Sequence, residues 1–132
     1  MKYAPNIAGG LLGFLFVASS LVVLLNLVPE QPAPPEGSPA AMFMGAFIPT
    51  GYMTFVKVLE LAGGLLVAIP RTRNFGLLVL GPIILNIVAF HVFITNGAGI
   101  FEPPFMIPVI CVLALYLLWA GRKAFAGLAR PA

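Results

Sequence analysis

The sequence predicts an all-α membrane protein: a bundle of four transmembrane helices, N-in/C-in, with a short interfacial or re-entrant helix in the first outer loop. Three observations predict it. Of the 132 residues, 61% are hydrophobic and 8% charged, with mean hydropathy +1.06, against roughly 25% charged in a soluble domain. The apolar residues gather into four runs suited to a hydrocarbon core that takes about 20 helical residues to cross. The Lys and Arg residues flank these runs on alternate loops. Four crossings consume most of the chain, so a single domain, 1–132, is expected, with no separate catalytic domain.

The first run, 7–28, follows Lys2 and exceeds the h-region of a secretory signal, and no A-x-A site closely follows it, so it reads as a retained helix. It stops at Pro29, where a proline-rich stretch with Glu30 and Glu36 begins that no helix interior tolerates. The next apolar stretch, 39–48, is too short to span; Ser38 is placed to cap it and Pro39 suits its first turn. The second long run, 52–70, ends at Pro70, and the polar turn Arg71-Thr72-Arg73-Asn74 joins it to the third, 75–95, as an antiparallel hairpin. Gly81-Pro82 should kink that third helix, because proline removes an amide and crowds the preceding turn. The fourth run is 105–120, with Pro108 near its start.

Lys2, the Arg71/Arg73 turn and the Arg122, Lys123 and Arg130 tail carry the flanking cations, while the two other loops carry none. By the positive-inside rule both termini face the cytoplasm. Tyr3, Tyr116 and Trp119 then fall near the inner interface and Tyr52 near the outer one. This charge pattern is topological rather than a nucleic-acid footprint. The single cysteine, Cys111, excludes an intramolecular disulfide or a CxxC pair, and one His and one Cys supply no metal site. No Walker loop, GxGxxG or GxSxG is present.

Charges inside a membrane helix are costly, so each invites a search for its partner and its use. Lys57 and Glu60 stand three residues apart, about 60° around a helix, close enough to pair. Gly64 and Ala68 continue their stripe, so this face must point into the bundle. At 1.5 Å per residue, Lys57 and Glu60 lie roughly 8 and 12 Å below Tyr52, and His91 and Asn86 roughly 6 and 14 Å below Thr95. With Asn26 near the same surface, a polar cluster of Lys57, Glu60, His91, Asn86 and Asn26 is expected in the outer half of the bundle. Asn86 and His91 are about 140° apart, however, so only one is expected to face a common cavity unless the winding changes. His91 beside Glu60 is the favoured pair for exchanging a proton, with Lys57 holding the carboxylate ionised. The alternative is an internal Lys57–Glu60 ion pair that fixes helix rotation, with the asparagines bonding helix to helix. Gly9, Gly13 and Ser20 on the first helix and Gly63 and Gly64 on the second read as packing seams.

At Lys57-Val-Leu-Glu60-Leu-Ala-Gly63-Gly64, Ile69-Pro70-Arg71-Thr72-Arg73 and Gly81-Pro82 through Asn86 to Phe90-His91, the sequence resembles the DoxX-like family of small four-helix membrane proteins. The resemblance covers the central hairpin and the layout. It implies a multi-pass protein of the bacterial cytoplasmic (inner) membrane, and for some members association with quinone-linked redox complexes. Lys57, Glu60, Gly64, Asn86 and His91 map to the family's motif positions. Redox relatives of the wider four-helix group use cysteine pairs, which a chain with only Cys111 lacks.

Three functions are open at this stage. The first is an accessory subunit of a redox complex, not an enzyme alone, holding no cofactor of its own but facing a quinone, with other membrane or redox subunits or further copies of itself as partners in the bilayer. The second is a small-solute or ion transport module, and the third a structural or assembly subunit that uses the loop over 29–51 as a lid or docking surface.

Overall fold

A computed structural model of the chain describes residues 3–27, 33–101 and 105–130. The flanking charges Lys2, Glu30 and Glu102, and the beginning of the proline-rich loop, lie outside the described residues. Every regular element among the described residues is helical.

Helix α1 runs Ala4–Leu24, beginning three residues earlier than the apolar run because Pro5 fits a first turn whose amides are unbonded anyway. It also ends earlier than expected. Asn26 adopts φ +56°, its N–H donates to Val23 O at 3.2 Å, and that of Leu27 donates to Val22 O at 2.8 Å. This is a Schellman cap, which satisfies carbonyls that the last turn would otherwise leave open.

Helix α2, Pro39–Phe47, starts as the sequence indicates: Ser38 Oγ accepts from the Ala41 N–H at 3.2 Å and Pro39 occupies the first turn. The chain turns through Gly51, at φ +82°, into α3, Tyr52–Ala68, whose axis is bent 79° from α2. α3 stops before Pro70 because Ile69 is extended, as a residue preceding proline tends to be. A 3₁₀ turn, Pro70–Thr72, leads into α4, Arg73–Ala89. The expected break at Gly81-Pro82 does not occur: α4 runs through it, and the winding changes instead at a π turn, Phe90–Ile94. Helix α5, Met106–Ala120, bends by 70° at Gly121 into α6, Arg122–Ala126, and the 3₁₀ turn Gly127–Ala129.

Ala4–Leu24, with 21 residues, and Pro70–Ile94, with 25, are each long and apolar enough to cross a membrane. The bent pairs α2–α3 and α5–α6 raise the number to four if each is one span. Around the bundle the long helices pack in the cyclic order α1, α3, α4, α5. The core is drawn from all four: Leu12 and Phe16, Val67, Leu77 and Leu80, and Ile110, Ala114 and Leu117. Phe14, Leu85 and Leu115, by contrast, are more than 60% exposed, as residues that face lipid would be.

Glycines set the helix spacing. A Cβ on Gly13 would fall 2.5 Å from Gly64 O, and one on Gly64 3.0 Å from Gly13 O, so α1 and α3 touch backbone to backbone. The adjacent Gly63 faces the other way, where a Cβ would meet Leu80 Cγ at 2.7 Å on α4. α3 is therefore clasped from both sides through two consecutive glycines. Gly9 serves differently: its missing Cβ leaves the place taken by the guanidinium of Arg73. Arg73 Nε donates to Val67 O at 3.0 Å and Nη1 to Asn6 Oδ1 at 3.2 Å, while Nη2 is buried without a hydrogen bond. Thr72 Oγ1 donates to Leu66 O at 2.8 Å. The last carbonyls of α3, its negative end, are thus capped by a hydroxyl and a cation. Ser20, fully buried, donates to Phe16 O within its own helix at 2.6 Å.

Candidate functional site

At the end of the bundle away from Arg73, α1, α3, α4 and α5 part around a cavity of about 780 Å³, and α2 lies across it. Lys57 and Glu60 from α3, Asn86 from α4 and His91 from the π turn all line it. The remaining wall is apolar, including Phe16, Ile83 and Ile110, with Met53 and Met106 toward the opening.

Glu60 is the deepest ionisable group, 3% exposed. Lys57 Nζ lies 3.0 Å from Glu60 Oε2, the i,i+3 pairing that the sequence predicts. An ammonium carries three N–H donors, so Lys57 retains donors for a ligand after bonding Glu60. A single carboxylate oxygen is engaged in that contact, so Glu60 likewise keeps acceptor capacity.

His91 does not bond Glu60. Its Nδ1 lies 2.8 Å from Ile87 O. A carbonyl only accepts, so Nδ1 carries the proton and Nε2 of the neutral ring holds a lone pair. The Nε2 edge faces Gly99, where a Cβ would come within 3.6 Å and where φ is +85°. The imidazole therefore depends on a left-handed glycine for its clearance. That glycine belongs to the turn following the π segment, which His91 O helps fix by accepting from Thr95 Oγ1 at 2.8 Å and from the Gly97 N–H at 2.6 Å.

Asn86 and His91 share the cavity although straight α winding would separate them. The wide turn that starts at Phe90 advances each residue through a smaller angle than an α-helix does and shifts His91 toward the Asn86 side. The Asn86 amide donates to Pro82 O at 2.9 Å. Its carbonyl oxygen is left on the cavity side of the exposed residue. Asn26 stands apart from this group: it is the left-handed cap of α1 and does not line the cavity. The expected five-residue cluster is thus four residues and a helix cap.

Residues that sequence reasoning passed over form the cover. Phe43 stacks on Phe47 at 4.4 Å between centroids and packs against Phe90 at 4.8 Å; Phe47 in turn meets Tyr52 at 4.5 Å. This aromatic chain ties α2 to α3 and to the π turn, and no residue of α2 is fully buried. The spacing of Phe43 and Phe47, i and i+4 on one helix, was the available signal.

The chemistry on offer is a desolvated ammonium, a carboxylate, an imidazole lone pair and an amide within an aromatic and methionine-lined space. Its volume falls within the range of about 300–1,000 Å³ typical of small-molecule sites. No protein-family model, curated protein or solved structure matches the chain.

Proposed function

We propose that this protein is a four-span protein of the bacterial inner membrane, both termini cytoplasmic, whose cavity binds a flat lipophilic carbonyl compound of the quinone class as an accessory subunit of a redox complex. The observation that carries this reading is the convergence of Lys57, Glu60, Asn86 and His91 on one otherwise apolar and aromatic cavity. Quinone carbonyls accept hydrogen bonds, which Lys57 Nζ supplies. Quinol hydroxyls donate, and His91 Nε2 and the free acceptor capacity of Glu60 receive them. The aromatic rings of Phe43, Phe47 and Phe90 offer faces for a planar headgroup. The electrons come from a partner subunit, for which Met42 and Ile48 on the outer side of α2, each about 60% exposed, offer an apolar contact. The resemblance of the Lys57-to-Gly64 and Asn86-to-His91 stretches to the DoxX-like family supports the same redox setting.

Binding is favoured over permeation because the bundle beyond Glu60 is filled. Leu12, Val67 and Leu80 have no exposed surface and Phe16 is 2% exposed, so the cavity is a blind one.

The test is equilibrium binding of a short-chain quinone to the detergent-purified protein, paired with quinone-linked turnover in native membranes. Glu60→Gln and His91→Leu are expected to weaken binding at least tenfold, and Glu60→Gln to lower turnover at unchanged protein abundance. Absence of saturable quinone binding by the folded protein, or loss of abundance in step with turnover, would overturn the proposal.

A further inference from the structure

We infer that the corner between α4 and α6, at the end opposite the quinone cavity, binds the phosphate headgroup of an anionic phospholipid. A second cavity, of about 290 Å³, opens there between Arg71, Asn74, Phe75 and Leu78 on one side and Ala124, Phe125 and Leu128 on the other. The bend at Gly121 makes it. A Cβ at Gly121 would lie 2.9 Å from Asn74 Oδ1, so the glycine lets the α5–α6 corner close onto α4 and folds α6 back beside the Arg71 turn.

Arg71 is exposed and makes no hydrogen bond or ion pair among the described residues, so its guanidinium is uncommitted beside the cavity. Arg122, Lys123 and Arg130 stand exposed on the same short segment as Phe125 and Leu128. Arg122 is parked over the Trp119 ring at 4.4 Å and donates to Trp119 O at 2.8 Å. All four carboxylates of the chain, Glu30, Glu36, Glu60 and Glu102, belong to other segments. This end therefore presents cations without acidic counterions, complementary to an anion.

The apolar part of the site selects the source of that anion. Phe75 and Leu78 form one wall and are 66% and 48% exposed; Leu85, further along the same face of α4, is 73% exposed. Residues at these spacings lie along one side of a helix, so an apolar track leads from the phosphate position along the span, where an acyl chain would run. A free phosphate ester has no use for such a track. Basic pockets between spans, at the level of the headgroups, are a known setting for anionic lipids.

The experiment is native mass spectrometry of the full chain in a neutral detergent, titrated with phosphatidylglycerol or with phosphatidylcholine of the same acyl chains. One phosphatidylglycerol is expected to be retained at least tenfold more tightly than phosphatidylcholine. Arg71→Gln should reduce that preference to less than threefold, and Arg71→Lys should keep most of it, which separates loss of charge from loss of folding. Equal retention of the two lipids, or full preference in Arg71→Gln, would overturn the site. Displacement by an equal concentration of chain-free glycerophosphoglycerol would overturn the lipid assignment in favour of a soluble phosphodiester.

Discussion

Replacing Gly13 by alanine adds one methyl group where α1 and α3 leave no room for it. The new Cβ would lie 2.5 Å from Gly64 O and 2.8 Å from Ala68 Cβ. The first distance is about 0.9 Å inside an ordinary C···O contact. Both obstacles belong to the body of α3, not to the far end of a flexible side chain, so the helices must part. Overpacking of this kind costs about 1–3 kcal/mol. Alanine also raises helix propensity by about 1 kcal/mol over glycine, which makes the unmodified protein a poor reference. Gly10 supplies a better one, since it sits on the same helix and a Cβ there meets nothing within 4 Å. The propensity gain is common to both variants, so their difference isolates the clash, roughly 5- to 150-fold in the equilibrium for opening the bundle. Cys111, the single cysteine, is half-buried against the core and reports that opening. Under conditions where reclosing outpaces labelling, alkylation of Cys111 in detergent should run faster in Gly13→Ala than in Gly10→Ala by that factor. Equal rates would refute the glycine seam as the determinant of α1–α3 spacing.

Lys57→Met leaves the Glu60 carboxylate, 3% exposed, without its cation, and should destabilise the bundle by about 3–5 kcal/mol. The double replacement Lys57→Met with Glu60→Leu should recover most of that loss in the same alkylation assay; no recovery would mean that the two residues act separately. Asn26→Gly should be nearly neutral for stability, because the cap needs only φ above zero, whereas Asn26→Val should cost about 1–2 kcal/mol; the reverse order in thermal unfolding would contradict the cap. Gly99→Val should crowd the His91 ring, where even a Cβ lies 3.4 Å from Cδ2, and shift the imidazole resonances in a nitrogen-15 spectrum while leaving those of α1 unchanged.

What could be read from the sequence were quantities local to the chain. Apolar runs, proline stops and the Ser38-Pro39 start fix where helices can exist, and the i,i+3 spacing of Lys57 and Glu60 fixes their pairing before any fold is known. Asn26 had a readable signal too: an asparagine just past the last apolar residues is a typical left-handed cap, and counting it as a membrane-embedded polar group obscured that. The rest depends on tertiary contacts. Arg73 looks like a solvated loop cation, yet it folds back on α3 and fills the space beside Gly9, because unbonded helix-terminal carbonyls attract a cation that the loop places within reach. The Pro82 kink failed to form and the π turn at Phe90 could not be anticipated, since no residue type there demands it. His91 consequently joined Asn86 in one cavity against the angular argument.

The π turn has a consequence for how this chain tolerates length changes. A π turn is what a single inserted residue leaves in an α-helix, and removing one residue from the segment Phe90–Ile94 would restore ordinary winding. Everything downstream would then rotate by about 100° and retreat by about 1.5 Å. Thr95 and Gly99 would swing off the imidazole they now flank, although every remaining residue would keep its identity. The composition of the site is thus written in side chains, but its phase is written in the count of residues between Asn86 and Gly99.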